Sequence, residues 1–359
     1  MVGVSGYMLF PNFQTQEFDQ NVVENIMDGV TTTSIGEDSD SNNTNNQDGN
    51  TVIESPIESP IESEPEIENL LNLNQTLIIK DSITSYLLIG SDKRSDKSED
   101  GYVEGQRADV IILGFFNETM NKNALISIPR DTLVTNLCTG EVERINASFK
   151  RNNCGNGAEN IVAAVNNLTG IKIEHIASFN FEGFEKIIDS FNGIEICVEE
   201  TQREGYSFEL QKGCQKVNGS TALNWTRSRN TEVLIGQKIV DEDGNDKSEW
   251  KKMEYVSDLT RVERQQYLVI QLLNELENFS SFGELLQFIQ ALEETFVVDE
   301  GLSVNKATNI LWSLRTLDFN NIEKLTVPTT PYQLNDGRQV LILNGNFYDF
   351  AKENLLIEE

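Results

Sequence analysis

Asp92, Arg94, Arg107, Asp109, Arg130 and Asp131 fall in three short clusters, SDKR, RADV and PRD, each at the edge of an apolar run. An arginine guanidinium presents a rigid fork of N–H donors that matches phosphate oxygens, and a carboxylate is a hard oxygen ligand for a divalent cation. These residue types therefore suit a phosphate held by the arginines while the carboxylates hold a divalent cation. The same opposite charges could equally form salt bridges at sheet ends. A second group favours the anion: Arg227 and Arg229 in WTRSRN, then Arg261, Arg264 and Gln265 in DLTRVERQQ. So many arginines at element edges are hard to assign to solubility in a chain this acidic.

The chain has 359 residues, 58 acidic against 28 basic, for a formal net charge of -30. That balance argues against a nucleic-acid or anionic-membrane binder, because long-range repulsion would oppose both. The charge is uneven. Residues 1–80 hold 14 carboxylates and a single lysine. Gly36 to Asn50 is almost wholly polar, and IESPIESPIESEPE repeats a four-residue cycle from Ile53 to Glu66. Such a segment lacks the apolar surface to offset the entropy of ordering it, so residues 1–76 read as a largely disordered acidic tether. Met1 to Phe10 is uncharged and partly apolar, about half the ~20 residues that span a bilayer. It reads either as an ordinary start or as the clipped end of a membrane anchor.

Elements must bring the charged clusters together. Thr84–Gly90, Ala108–Phe115 and Asn123–Ile128 are apolar runs of strand length. Helical spacing follows over Gly155–Leu168 and Phe181–Phe191, with strands expected at Ile176–Asn180 and Gly193–Val198. Arg261–Phe279 is the longest expected helix, and Arg261 and Gln265, four residues apart, share its core-facing side. Asp258 suits its cap. Helices at Phe282–Leu292 and Val304–Leu314 carry the capping serines Ser281 and Ser303. A strand at Val340–Leu343 and a helix from Asn346 to Leu355 complete the pattern. Alternation at these lengths predicts an α/β fold, an αβα sandwich with a mixed central sheet, in one domain over residues 77–359 with an exposed insertion at 231–257. The single histidine, His175, lies outside the charged clusters and reads as a packing or turn residue. Four cysteines without a CxxC pair argue against zinc. Pairing Cys138 with Cys154 and Cys197 with Cys214 would close two local loops in an oxidising compartment, the alternative being buried free thiols.

Seven segments in order, LLIGSDKR, RADVIIL, SIPRDT, KRNNCGNG, FNFEGFEKIIDSFNGIEI, GCQKVNGSTALNWTRSRN and DLTRVERQQYL, resemble the LytR-CpsA-Psr family of bacterial cell-wall glycopolymer ligases. The likeness spans Thr84 to Pro328, and KRNNCGNG departs from the family in lacking a tyrosine. The resemblance implies a membrane-anchored enzyme on the extracytoplasmic face of a bacterial membrane. It would move the phosphoglycosyl end of a polyprenyl-pyrophosphate-linked glycopolymer to a hydroxyl of peptidoglycan or another wall glycan, with Mg²⁺. Asp92 and Asp109 match the metal ligands. Arg94, Arg107, Arg130, Arg227, Arg229, Arg261 and Gln265 match or adjoin the pyrophosphate-binding positions, Arg107 and Arg130 carrying catalysis. Asp131 could accept the hydroxyl proton or pair with Arg130 or Arg107, and Arg94 and Arg264 could instead orient loops. Phe149, Phe181, Phe184, Ile187, Phe191 and Val269 could line a cavity for the isoprenoid chain, although core packing also explains them. Hydrolysis of the pyrophosphate at the same site and noncatalytic presentation of a lipid-linked polymer are the competing functions.

Overall fold

The computed structural model describes residues 14–16, 18–33, 83–91, 107–117, 123–253, 258–292, 295–299, 301–316, 319, 322–347 and 349–351. The sequence expectations for Met1 to Phe10, for the repeats, and for Asp92 and Arg94 lie outside the described residues.

Seven strands form the central sheet: β1 (Gln14–Gln16), β2 (Ile83–Ser91), β3 (Ala108–Asn117), β4 (Ala124–Ser127), β5 (His175–Asn180), β6 (Phe296–Asp299) and β7 (Glu323–Thr326). Their order is β1-β6-β5-β2-β3-β4-β7. The β1–β6, β5–β2 and β4–β7 pairs are parallel and the remainder antiparallel, so the sheet is mixed. The helices are α1 (Gln20–Thr33), α2 (Gly157–Thr169), α3 (Phe181–Ser190), α4 (Gly219–Arg227), α5 (Asp258–Asn274), α6 (Phe282–Ala291) and α7 (Val304–Leu314).

Side chains alternate across a strand, and the alternation here feeds two helical layers. Leu87, Ile89, Ile111 and Leu113 pack with α1 and α2, while Ile112 and the partly buried Leu88 and Val110 pack with α5, α6 and α7. Each fully buried leucine or isoleucine contributes ~1.5–3 kcal/mol, and a one-residue slip would exchange the faces. This is the αβα arrangement expected from the sequence. Among the described residues no helix is long and apolar enough to cross a membrane.

Four features differ from expectation. Packing begins ahead of Leu77, since β1 pairs with β6 and Val23 and Ile26 of α1 enter the core beside α2; the polar flanks of this short amphipathic segment hide it. Strand Ile194–Val198 sits outside the central sheet, paired with Gly213–Val217 across the Cys197–Cys214 disulfide. The exposed insertion is built on a hairpin that its polar sequence did not announce, Glu232–Ile235 pairing with Glu249–Lys252 and Glu232 and Val233 also pairing with Arg203 and Gln202. The longest helix starts at Asp258 and gives way after Asn274 to a 3-10 turn over Glu275–Asn278.

A second disulfide joins Cys138 to Cys154, just ahead of α2, whose start is closed by reciprocal Asn156 and Glu159 hydrogen bonds. His175 is buried against Asp299, 3.2 Å from its Nδ1, and Lys306, 2.9 Å from its Nε2.

Candidate active site

The antiparallel pairing of β3 and β4 reaches Ile112 opposite Ser127 and the Ile128 N–H on the Ile111 carbonyl, and just beyond it Asp109 and Arg130 meet. Arg130 Nη1 donates to Asp109 Oδ1 at 2.6 Å. Two sequence clusters twenty residues apart thus meet at one sheet end because β3 and β4 form a hairpin.

The other wall comes from α4 and α5. Close approach fixes α4: a Cβ on Gly219 would fall 2.4 Å from the Glu185 carbonyl oxygen, and the Gly219 N–H donates to Asp189 Oδ1 at 2.7 Å. Arg227 in its last turn stacks on the Phe181 ring at 3.9 Å. Ser228 then takes an extended conformation and buries its hydroxyl on Thr231 Oγ1, leaving Arg227 and Arg229 exposed on either side. Arg264 anchors this stretch from below. Its Nη1 donates to the Trp225 carbonyl at 2.8 Å and to Thr231 Oγ1 at 3.1 Å, which makes it a positioning group as the sequence allowed. Gln266, which the sequence analysis missed, donates to Ser127 Oγ and the Leu325 carbonyl and so pins α5 to β4 and β7.

The result is a polar pocket of about 260 Å³. Asp109, Arg130, Arg227, Arg229, Arg261 and Gln265 line it, all of them expected from the sequence. Glu204, Ser207 and Asn224 also line it and were not expected. Asn224 was within reach of the sequence pattern, being one helical turn before Arg227, whereas Glu204 and Ser207 come from a turn without a motif. Arg107 is exposed at the start of β3 and does not line the pocket. Nor does Asp131, whose carboxylate lies 3.7 Å from Arg130 Nε and 3.5 Å from Arg144 Nε.

Burial first, then the charges of Arg130 and Arg229, lower the Arg261 pKa to about 10, against the opposing pull of Asp109 and Asp131. The side chain is still cationic at neutral pH, and it lies in the first turn of α5, where the helix field favours an anion. A depressed pKa means that the charged form carries a folding cost, present below about pH 10 and lifted above it. A bound anion offsets that cost. Inorganic pyrophosphate at about a hundred times its Kd should therefore add ~2.7 kcal/mol, several degrees in Tm. The gain should be full near neutral pH, shrink as pH rises past about 10, and fall in Arg229→Ala and Arg261→Ala. Differential scanning calorimetry reads it, and an unchanged Tm in the wild-type protein would contradict it.

Beside the polar pocket lies an apolar cavity of about 230 Å³ between the sheet and α5, α6 and α7. Leu88, Ile112, Ala177 and Val298 face it from the sheet, and Val269, Ala307 and Leu311 from the helices. Of the six residues offered for an isoprenoid cavity, Val269 alone lines it. Phe149 is in the opposite layer, Phe184 and Phe181 pack in the α3–α4 cluster, Ile187 is buried on α3, and Phe191 packs on Phe279 and Phe288. Their apolar character reported burial, without distinguishing which layer was filled.

Among the described residues, Glu195, Cys197 and Cys214 form the one set of three or more His, Cys, Asp or Glu side chains close enough to share a metal ion. The two sulfurs are bonded to each other, so these residues could hold an ion only after reduction.

A mixed αβα sandwich with an arginine-walled pocket and an apolar cavity, both lined in part by α5, places the chain among the α/β proteins. The chain belongs to the LytR_cpsA_psr family, whose model matches residues 21–236 and 243–356. It is 30% identical over 166 residues to the "Probable cell wall biosynthesis protein LcpB" of Corynebacterium glutamicum, covering 44% of this chain and 39% of that protein. It is 26% identical over 245 residues to the polyisoprenyl-teichoic acid–peptidoglycan teichoic acid transferase TagU of Bacillus subtilis, covering 67% of this chain and 65% of TagU. The matches thus span less than two thirds of both relatives. The crystal structure of Bacillus subtilis TagV superposes with a TM-score of 0.59 at 20% identity, over 78% of this chain and all of that one, and shares the fold.

Proposed function

We propose that the protein transfers a phosphoglycosyl group from a polyprenyl-pyrophosphate-linked glycopolymer to a hydroxyl of peptidoglycan or another wall glycan. One observation carries the reading: Arg261, Gln265, Val269 and Leu273 recur every four residues along α5, the first two lining the polar pocket and the last two the apolar cavity. A single helix thereby lines both spaces, as a ligand with an anionic head and an apolar tail would require. The names of the relatives point to the same chemistry.

In this reading Arg130, Arg227, Arg229 and Arg261 bind the pyrophosphate oxygens through charge-assisted hydrogen bonds, and Gln265 adds an uncharged donor. Phe181 and Arg264 hold that set in place. The tail occupies the apolar cavity, which keeps the anhydride oriented for in-line attack. Arg107 reads as a contact at the pocket rim, and Asp131 as a group that orients Arg130. Asp92 and Arg94 keep the metal and phosphate roles that the resemblance gives them.

Mg²⁺ fits the donor set, because Asp109 offers hard carboxylate oxygens in a pocket rich in phosphate-binding groups and engages Arg130 through one of them. Asp109 and Asp92 would hold the ion. When bound, it draws negative charge from the leaving phosphate oxygen. The two disulfides fit an oxidising location outside the cell membrane.

The test incubates the protein with synthetic polyprenyl-pyrophosphoryl oligosaccharide, undecorated glycan and Mg²⁺ and identifies products by mass. A glycan adduct is expected. Released phosphorylated sugar alone would make the protein a hydrolase, and tight binding without product would make it a presentation module.

A further inference from the structure

The reaction proposed above needs a group to receive the proton of the attacking hydroxyl, and the pocket contains two carboxylates, Asp109 and Glu204. Asp109 is engaged by Arg130 at 2.6 Å and is the metal-ligand position, which leaves it little capacity as a base. Asp131 lies outside the pocket lining, between Arg130 and Arg144. Glu204 differs. Its Oε1 accepts the N–H of Asn230 at 3.1 Å, one residue past Arg229, and this holds the carboxylate beside the arginine pair.

The turn that carries Glu204 is built to present it. The Ser207 N–H closes on the Glu204 carbonyl at 2.9 Å, Gly205 takes a left-handed φ of 52°, and Asn224 Nδ2 ties the Ser207 carbonyl to α4 at 3.2 Å. Ser207 and Asn224 line the pocket with Glu204, so this part of the lining offers a carboxylate, a hydroxyl and a carboxamide beside the guanidiniums of Arg227 and Arg229. The carboxylate repels phosphate and accepts from sugar hydroxyls, and the hydroxyl and carboxamide can both donate to and accept from them. Between the two pocket residues of the turn, Tyr206 is fully exposed. Its ring has an apolar face and a polar tip, the form of surface on which a pyranose can lie.

Resting on the transfer reading, we infer that the Glu204–Ser207 turn is the acceptor side of the pocket and that Glu204 takes the proton from the acceptor hydroxyl. The hydroxyl oxygen forms a bond to the sugar-linked phosphorus while the anhydride P–O bond breaks. The polyprenyl phosphate leaves with the electron pair, and the proton passes to the Glu204 carboxylate and then to water. No oxidant or reductant is needed.

Steady-state transfer kinetics with the synthetic donor and a glycan acceptor test this, with Tm in pyrophosphate as the measure of donor-site integrity. Glu204→Gln keeps an oxygen for the Asn230 N–H, so the turn should persist. Its kcat should fall about 10²–10³-fold with donor KM and the pyrophosphate response unchanged, and Glu204→Asp should recover part of the loss. Tyr206→Ala should raise the acceptor KM several-fold at unchanged kcat. Wild-type kcat in Glu204→Gln, or a lost pyrophosphate response, would overturn the assignment of Glu204. An unchanged acceptor KM in Tyr206→Ala would overturn the placement of the acceptor at this turn. Wild-type protein that forms no adduct would sink the transfer reading itself.

Discussion

Arg130→Ala should lower transfer about 10²–10³-fold, the cost of removing one preorganised donor aimed at developing charge. Its guanidinium bridges Asp109 in the pocket and Asp131 behind it, with the side chain one fifth exposed. Removal therefore takes away a phosphate donor and also releases two carboxylates that it holds. The stability loss should be smaller, because both carboxylates keep access to water and Asp131 retains Arg144. Arg130→Lys supplies the charge without the fork and should recover only part of the rate. Equal rates for Arg130→Ala and wild type, measured alongside Tm, would remove Arg130 from the site.

Ala307→Phe should reduce kcat/KM for long-chain donors by up to about a thousandfold. Ala307 faces the apolar cavity from α7, and a phenyl ring there takes space from a tail. One displaced isoprene unit has five carbons at ~0.8 kcal/mol each, on the order of 4 kcal/mol, or roughly three factors of ten. A short-chain donor that does not reach Ala307 should be unaffected, and so should the Tm gain from inorganic pyrophosphate. Wild-type kinetics with the long-chain donor would place the tail elsewhere.

These two variants probe parts of the site that were unequally legible in the sequence. Arg130, Asp109, Arg227 and Arg229 stood in motifs at element edges, and their chemistry could be read from residue type and spacing before their contacts were known. The β3–β4 hairpin then brought the first two together at one sheet end. The sandwich was equally legible, since the strand-length apolar runs of β2 and β3 and the helical spacing of apolar residues in α2 and α5 are local properties of the chain. The cavity was not. Phe184 and Val269 carry the same periodic signal, yet they fill different places, because periodicity records that a face is buried and not which layer covers it. Glu204 was hidden for a related reason: its place in the pocket depends on a hydrogen bond from Asn230, 26 residues away, and a tie from Asn224 to the end of its turn. The opening of the chain misled in the opposite sense, its acidic composition masking β1 and α1, whose few apolar residues suffice when a preformed sheet edge and α2 receive them.

The most direct measurement follows the phosphorus. A donor carrying ³²P only at the phosphate joined to the sugar is incubated with the protein, Mg²⁺ and undecorated glycan, and the products are separated. Transfer as described predicts that the label moves to the glycan in a phosphodiester while the polyprenyl phosphate leaves unlabelled. Label retained by the lipid, or released as free phosphorylated sugar with no label on the glycan, would contradict it.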